Sequence, residues 1–286
     1  MPNHIDTGTW TAGRRNVVAF ALGVLISLHG TQTAASDWSD TFIGYRYGMQ
    51  YREPANPNDI TKSIVTVQHV SGYKYGTHFF NLDILLSNNK DPAAGGGGGA
   101  AEAYFVYRHD LSLSAVSGHP IKFRPVRDVG ITAGFDLNTK NDAFGSRKFK
   151  FAVGPTLQFD VPGFFNASLL YQTEHNRNGI VGKNVAFDGT YDLNLAWGIP
   201  FSLGLPAKFK GFADYIGAKG IDGFGNKTKQ ETLIETALMW DAGSIAGKKD
   251  TFYAGIGYQY WHNKFGNAPG VGTQASVPQF KLEAHF

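Results

Sequence analysis

From Asp37 onward, apolar and polar residues alternate with a period of two over segments of about ten residues or more. Phe149, Phe151, Val153, Pro155, Leu157, Phe159 and Val161 share one parity, with Lys148, Lys150, Ala152, Gly154, Thr156, Gln158 and Asp160 between them. The same pattern recurs around Val129–Leu137, Phe165–Tyr171, Tyr191–Ile199 and Phe252–Tyr258. Successive side chains of a strand point to opposite faces, so each segment has one greasy face and one wet face. Soluble strands average about five or six residues. A tilted strand that crosses a bilayer needs about 9 to 11. The polar set is rich in Gly, Asp, Lys and Asn. That is too hydrophilic for a soluble core but suits an aqueous lumen. Backbone groups in lipid must all be paired, so a membrane sheet has to close on itself.

About twelve such segments can be marked, near 41–51, 60–70, 76–86, 102–116, 127–138, 147–161, 164–175, 187–199, 207–218, 229–243, 251–262 and 275–286. The fold predicted is all-β, a transmembrane antiparallel up-and-down β-barrel of about 12 strands, with 10 or 14 as alternatives. Connections after odd-numbered segments are long, among them 52–59, 88–101 and 263–274. Those after even-numbered segments are short, Pro162-Gly163 being the briefest. The connection at 117–126 is longer than this asymmetry predicts.

Residues 1–35 read as a signal peptide, with 36–286 the barrel. Arg14 and Arg15 precede an apolar run from Val17 to Leu28, and Thr33-Ala34-Ala35 supplies small residues for cleavage. The run is too short for a membrane-spanning helix, which needs about 20 apolar residues. The formal charge is +3, and the leader holds only Asp6, Arg14 and Arg15, so the remainder carries +2. A nearly neutral chain without a basic stripe gives no sign of nucleic-acid binding. With no Cys, closure of the sheet has to replace disulfides. The chain stops at Phe286, with Phe280, Leu282, Ala284 and Phe286 on one face of its last segment.

Parity also names lumen residues. Asp83, Arg108, Asp128, Tyr104, Tyr253 and Trp261 are the expected solute path. Carboxylates and Arg can hydrogen-bond hydroxyls, and planar rings can stack on bases or sugars, each base–ring stack contributing about 1–3 kcal/mol. Most other lumen charges are expected to cross-link the wall as ion pairs. Tyr45, Tyr47, Tyr51, Trp197, Trp240, Tyr258 and Tyr260 are expected to face outward as interfacial girdles.

At Ser36–Ser39, Tyr45–Gly48, Phe79–Asp83, Tyr104–Ser114, Ile121–Asp136, Tyr258–His262 and the last segment, the chain resembles the nucleoside-specific channel-forming proteins of the Tsx and OmpK type. The resemblance implies a monomeric twelve-stranded outer-membrane barrel that passes nucleosides and similar small solutes, without a cofactor, and serves as a phage or colicin receptor in some members. The terminal aromatic residue resembles the signature read by the outer-membrane barrel assembly machinery.

The function expected is therefore passive, substrate-selective diffusion of small hydrophilic solutes across the outer membrane. The alternatives are a surface receptor or adhesin without transport, and an outer-membrane hydrolase. For the hydrolase, no His-x-x-x-His spacing or Gly-x-Ser-x-Gly elbow occurs. His109 and Asp110 have opposite parity and cannot share a face. Gly95–Gly99 is followed by no Lys-Ser/Thr and reads as a loop, not a phosphate cradle.

Overall fold

The computed structural model describes residues 36–286. The expected signal peptide, 1–35, lies outside the described residues.

The polypeptide runs through β1 (Trp38–Tyr51), β2 (Ile60–Tyr73), β3 (Gly76–Ser87), β4 (Ala101–Ser112), a single helical turn α1 (Leu113–Ser117), β5 (Val126–Lys140), β6 (Arg147–Phe159), β7 (Phe164–Asn178), β8 (Lys183–Ala186), β9 (Thr190–Leu203), β10 (Leu205–Ile216), β11 (Glu231–Asp241), β12 (Phe252–His262) and β13 (Ala275–His285). Each barrel strand pairs antiparallel with its predecessor, and β13 pairs with β1, from Phe42 opposite His285 to Tyr47 opposite Phe280. Because β6 also pairs with β7, the twelve long strands of the described residues close into a barrel. The four-residue β8 pairs only with β7, beyond its contact with β9, and stands outside the wall. The barrel thus has the twelve strands expected.

Those strands are 11 to 15 residues long. At about 3.3 Å per residue and a tilt near 40°, eleven residues rise about 28 Å, the thickness of a bilayer's hydrocarbon layer. Among the described residues no helix is long and apolar enough to cross a membrane; the strands supply the crossing length.

Burial is inverted relative to a soluble protein. The buried set contains more polar and charged residues than hydrophobic ones. Ile256, Phe280, Leu193 and Phe149 meanwhile stand exposed on the outer surface. In β13 the alternation is nearly strict, with Val277, Gln279, Lys281 and Glu283 buried and Phe280 exposed between them.

One end carries the short turns and both described termini; the other carries the long loops. The β9–β10 turn is closed by Gly204 at φ 74°. The β6–β7 turn uses Gly163 at φ 75°, where a Cβ would lie 2.1 Å from the Gly198 carbonyl oxygen. Only glycine meets both demands. At this turn end the β4–β5 connection, residues 113–125, opens with α1, whose Ala115 N–H donates to Ser112 Oγ at 3.0 Å.

One expected orientation is corrected. Tyr51 does not face outward; it is buried beside Ile60, Ile64 and Val277, and accepts from Gln279 Nε2 at 3.0 Å. Gly48 opposes Lys62 while Tyr51 opposes Ile60, so β1 carries one extra residue here. That bulge inverts parity for the last turn of the strand.

Candidate functional site

The lumen is crossed by charge pairs between strands that are not neighbours. Arg46 of β1 reaches Asp83 of β3 on one side and Glu235 of β11 on the other. Glu235 also accepts from Lys281 Nζ at 3.1 Å and Gln259 Nε2 at 3.1 Å, and Asp83 from Thr66 Oγ1 at 2.7 Å. Every charge in this clasp has a partner, as buried ions require. A second group forms on β4–β6. Asp136 receives Arg108 Nη1 at 2.6 Å and the Tyr104 hydroxyl at 3.0 Å, with Lys150 Nζ at 3.9 Å. Between β5, β6 and β7 the wall is lined by small hydroxyls in a chain, Thr132 to Thr156 at 2.5 Å and Thr156 to Ser168 at 2.7 Å.

Toward the loop end stands a cation without a carboxylate partner. Lys148 makes no ion pair among the described residues; its ammonium lies 5.8 Å from the Tyr104 ring centre and 5.0 Å from that of Phe265. Phe265 comes from the β12–β13 loop and packs edge-on against Trp261, centroids 5.0 Å apart. Glu231 fixes both, accepting from Trp261 Nε1 at 2.6 Å and from the Phe265 backbone N–H at 3.0 Å. Phe265 adopts φ 61°, and Asn263 φ 50°. A bulky residue in the left-handed region is strained by about 1–3 kcal/mol and stays there only when its surroundings enforce it. The chain therefore spends conformational energy to point an aromatic ring at Lys148.

Above this group the mouth is tied by Glu53 of the β1–β2 loop. Lys62, Lys264 and Lys140 surround it at 2.7, 3.3 and 3.4 Å, and Lys264 also donates to the Arg52 carbonyl at 2.6 Å. Burial would raise the Glu53 pKa, but Lys264, Lys62 and Lys140 overcome it and hold the carboxyl well below the usual carboxylate range. Burial pushes the Lys264 ammonium down to about 8, only partly offset by Glu53. Three lysines from three elements thus pin one loop over the lumen.

The six expected solute-path residues fall into separate places. Tyr104 and Arg108 meet on Asp136, and Tyr104 and Trp261 are linked through Lys148 and Phe265. Asp83 belongs to the Arg46 clasp. Asp128 and Tyr253 lie at the turn end, away from the rest. Asp128 accepts from Ser112 and Ser114 beside a hollow of about 540 Å³ that Arg127 and Gln158 also line. Tyr253 is buried, donates to Asp250 and packs on His285. Strand alternation does not point to Phe265 or Glu231. Phe265 sits in a loop, where period two gives no direction. Glu231 opens its strand, where the polar run Lys227–Gln230 hides the pattern. As for hydrolysis, His109 faces out toward Tyr73 while Asp110 faces in toward Gln158, so they form no dyad.

No protein-family model matches the sequence, and no curated protein matches it. Solved structures similar to the chain include the KdgM porin, at 11% identity and TM-score 0.46 over 86% of this chain and 99% of that one. The NanC porin gives 11%, 0.45 and the same coverage. The translocator domain of the autotransporter NalP from Neisseria meningitidis gives 11% and 0.43 over 96% of this chain and 95% of that one. None of these scores reaches 0.5, so function rests on the chain's own residues.

Proposed function

We propose that this barrel sits in the outer membrane of a Gram-negative cell as a monomer and lets small hydrophilic solutes, nucleosides among them, diffuse passively through its lumen. The supporting observation is the unpaired Lys148 held between Tyr104 and Phe265 inside a polar interior whose other cations are largely paired. A nucleobase can lie against Phe265 and Trp261, its ring acceptors facing Lys148. Ribose hydroxyls can donate to Glu231. The Arg46 clasp then narrows the path and selects for solutes that exchange hydrogen bonds with paired charges. Insertion would use the assembly machinery, which reads the last strand through Phe286. The partners are lipid and solute, with no cofactor.

Single-channel recording in planar bilayers tests this reading. Adenosine or uridine is expected to block current at concentrations about tenfold below those needed for a hexose, since one base–ring stack is worth about 1–3 kcal/mol. Replacing Lys148 and Phe265 together with Ala should erase the difference while leaving conductance. Equal block by nucleoside and hexose in the parent protein would remove nucleosides from the proposal. Absence of any conductance would favour a receptor over a channel.

A further inference from the structure

The outer surface carries a cluster of imidazoles among its apolar residues. Phe80 of β3 and Phe105 of β4 give way toward the turn end to His78 and His109, with His69 of β2 opposite Phe80, all of outward parity. His78 and His109 are direct cross-strand partners. Their Nδ1 atoms stand 3.2 Å apart, and the Tyr107 hydroxyl lies 2.8 Å from His78 Nδ1. On the far side of His109, Nε2 is 3.2 Å from the Tyr73 hydroxyl.

The spacing suits coordination. Two imidazole nitrogens each about 2.05 Å from one ion, at an angle near 100°, stand about 3.2 Å apart. If Nε2 of His109 donates to the Tyr73 oxygen, the lone pair is left on Nδ1, facing His78. A hydrogen bond on the second ring nitrogen of this kind fixes tautomer and ring angle in metal-binding histidines. Tyr73 also stacks on His78, centroids 5.1 Å apart, so one ring steadies both imidazoles. Among the described residues no three His, Cys, Asp or Glu side chains gather as a metal site; here the third donor is a phenol. The β2–β3 turn, with Lys74 and the 37% exposed Tyr75, lies beside the pair, so the site is at the barrel's rim and not at mid-membrane.

We propose that His78 Nδ1, His109 Nδ1 and the Tyr107 oxygen form a surface site for one divalent transition-metal ion. Cu2+ is the strongest binder, because imidazole with a phenolic oxygen suits it and it stands above Ni2+ and Zn2+ in affinity for such donors. The site is independent of the lumen.

The experiment is titration of Cu2+ into tag-free, chelator-washed barrel refolded in detergent, followed by calorimetry and electron paramagnetic resonance. One ion per barrel is expected, with an axial spectrum showing coupling to nitrogen. His78→Ala and His109→Ala should each weaken binding at least tenfold, and His69→Ala should not. Tyr73→Phe, which leaves all three donors in place, should weaken binding about tenfold through the lost hydrogen bond. Binding to the parent no tighter than to the His78→Ala/His109→Ala double variant overturns the site. Should a variant not refold, the parent spectrum alone decides, since a Cu2+ signal without nitrogen coupling also overturns it.

Discussion

Arg46→Leu is expected to lower the unfolding free energy of the barrel by about 3–5 kcal/mol, the cost of stripping a buried charge from its partners. The side chains of Arg46, Asp83 and Glu235 are 11%, 15% and 9% exposed, so water cannot replace the lost cation. Glu235 keeps Lys281 and Gln259, and Asp83 keeps Thr66, which places the loss toward the lower end of that range. Arg46→Lys should recover only part of it, because one ammonium cannot reach both carboxylates as a guanidinium fork does. The double variant Arg46→Met, Asp83→Asn should recover most of it, since Glu235 then keeps Lys281 and no unpaired charge remains. Urea unfolding in detergent, read by tryptophan fluorescence, measures each. Equal stability of Arg46→Leu and the parent would mean that the clasp is wetted and carries no structural load. The same substitution should raise conductance, because the clasp bridges β1, β3 and β11.

The second large effect separates the two faces of a single strand. Ile256 is 60% exposed near the middle of β12, flanked by outward Leu238 and Phe280. Ile256→Arg should cost about 2–4 kcal/mol, the penalty for a cation at the bilayer midplane on a barrel's lipid face. Gln259, three residues on, faces the lumen and donates to Glu235 at 3.1 Å. Gln259→Arg places its new charge beside that carboxylate, in the lumen and not in hydrocarbon, and should cost less than Ile256→Arg. Refolding into lipid vesicles, compared between the two variants, reads the difference. Similar costs for both would contradict the assignment of faces.

Much of this was legible in the amino-acid sequence because period two is rigid geometry. Strand limits such as Arg147–Phe159 and Phe252–His262 fall within a few residues of where the alternation starts and stops. So does the inward parity of Asp83, Arg108 and Tyr104. At Tyr51 the alternation fails: one inserted residue between Gly48 and Tyr51 turns an outward ring inward, and nothing in Gly-Met-Gln-Tyr announces it. Ion pairing across the lumen was legible only as a tendency. That Arg46 finds Glu235 depends on the stagger of four strands, which emerges only when the sheet closes. Phe265 was hidden for a different reason, since its direction is set by a strained turn and by Glu231 rather than by strand alternation. The His78–His109 pair needed the β3–β4 register to bring together two residues 31 positions apart.

Sidedness can be measured residue by residue, since the chain has no Cys of its own. Single cysteines placed in turn from Ile256 to Trp261, each carrying a nitroxide in the barrel reconstituted in lipid, report exposure to oxygen from the hydrocarbon and to a water-soluble nickel chelate. Oxygen accessibility should peak at 256, 258 and 260 and fall at 257, 259 and 261. A flat profile, or one repeating every three to four residues, would contradict a closed sheet with lipid on one face and water on the other.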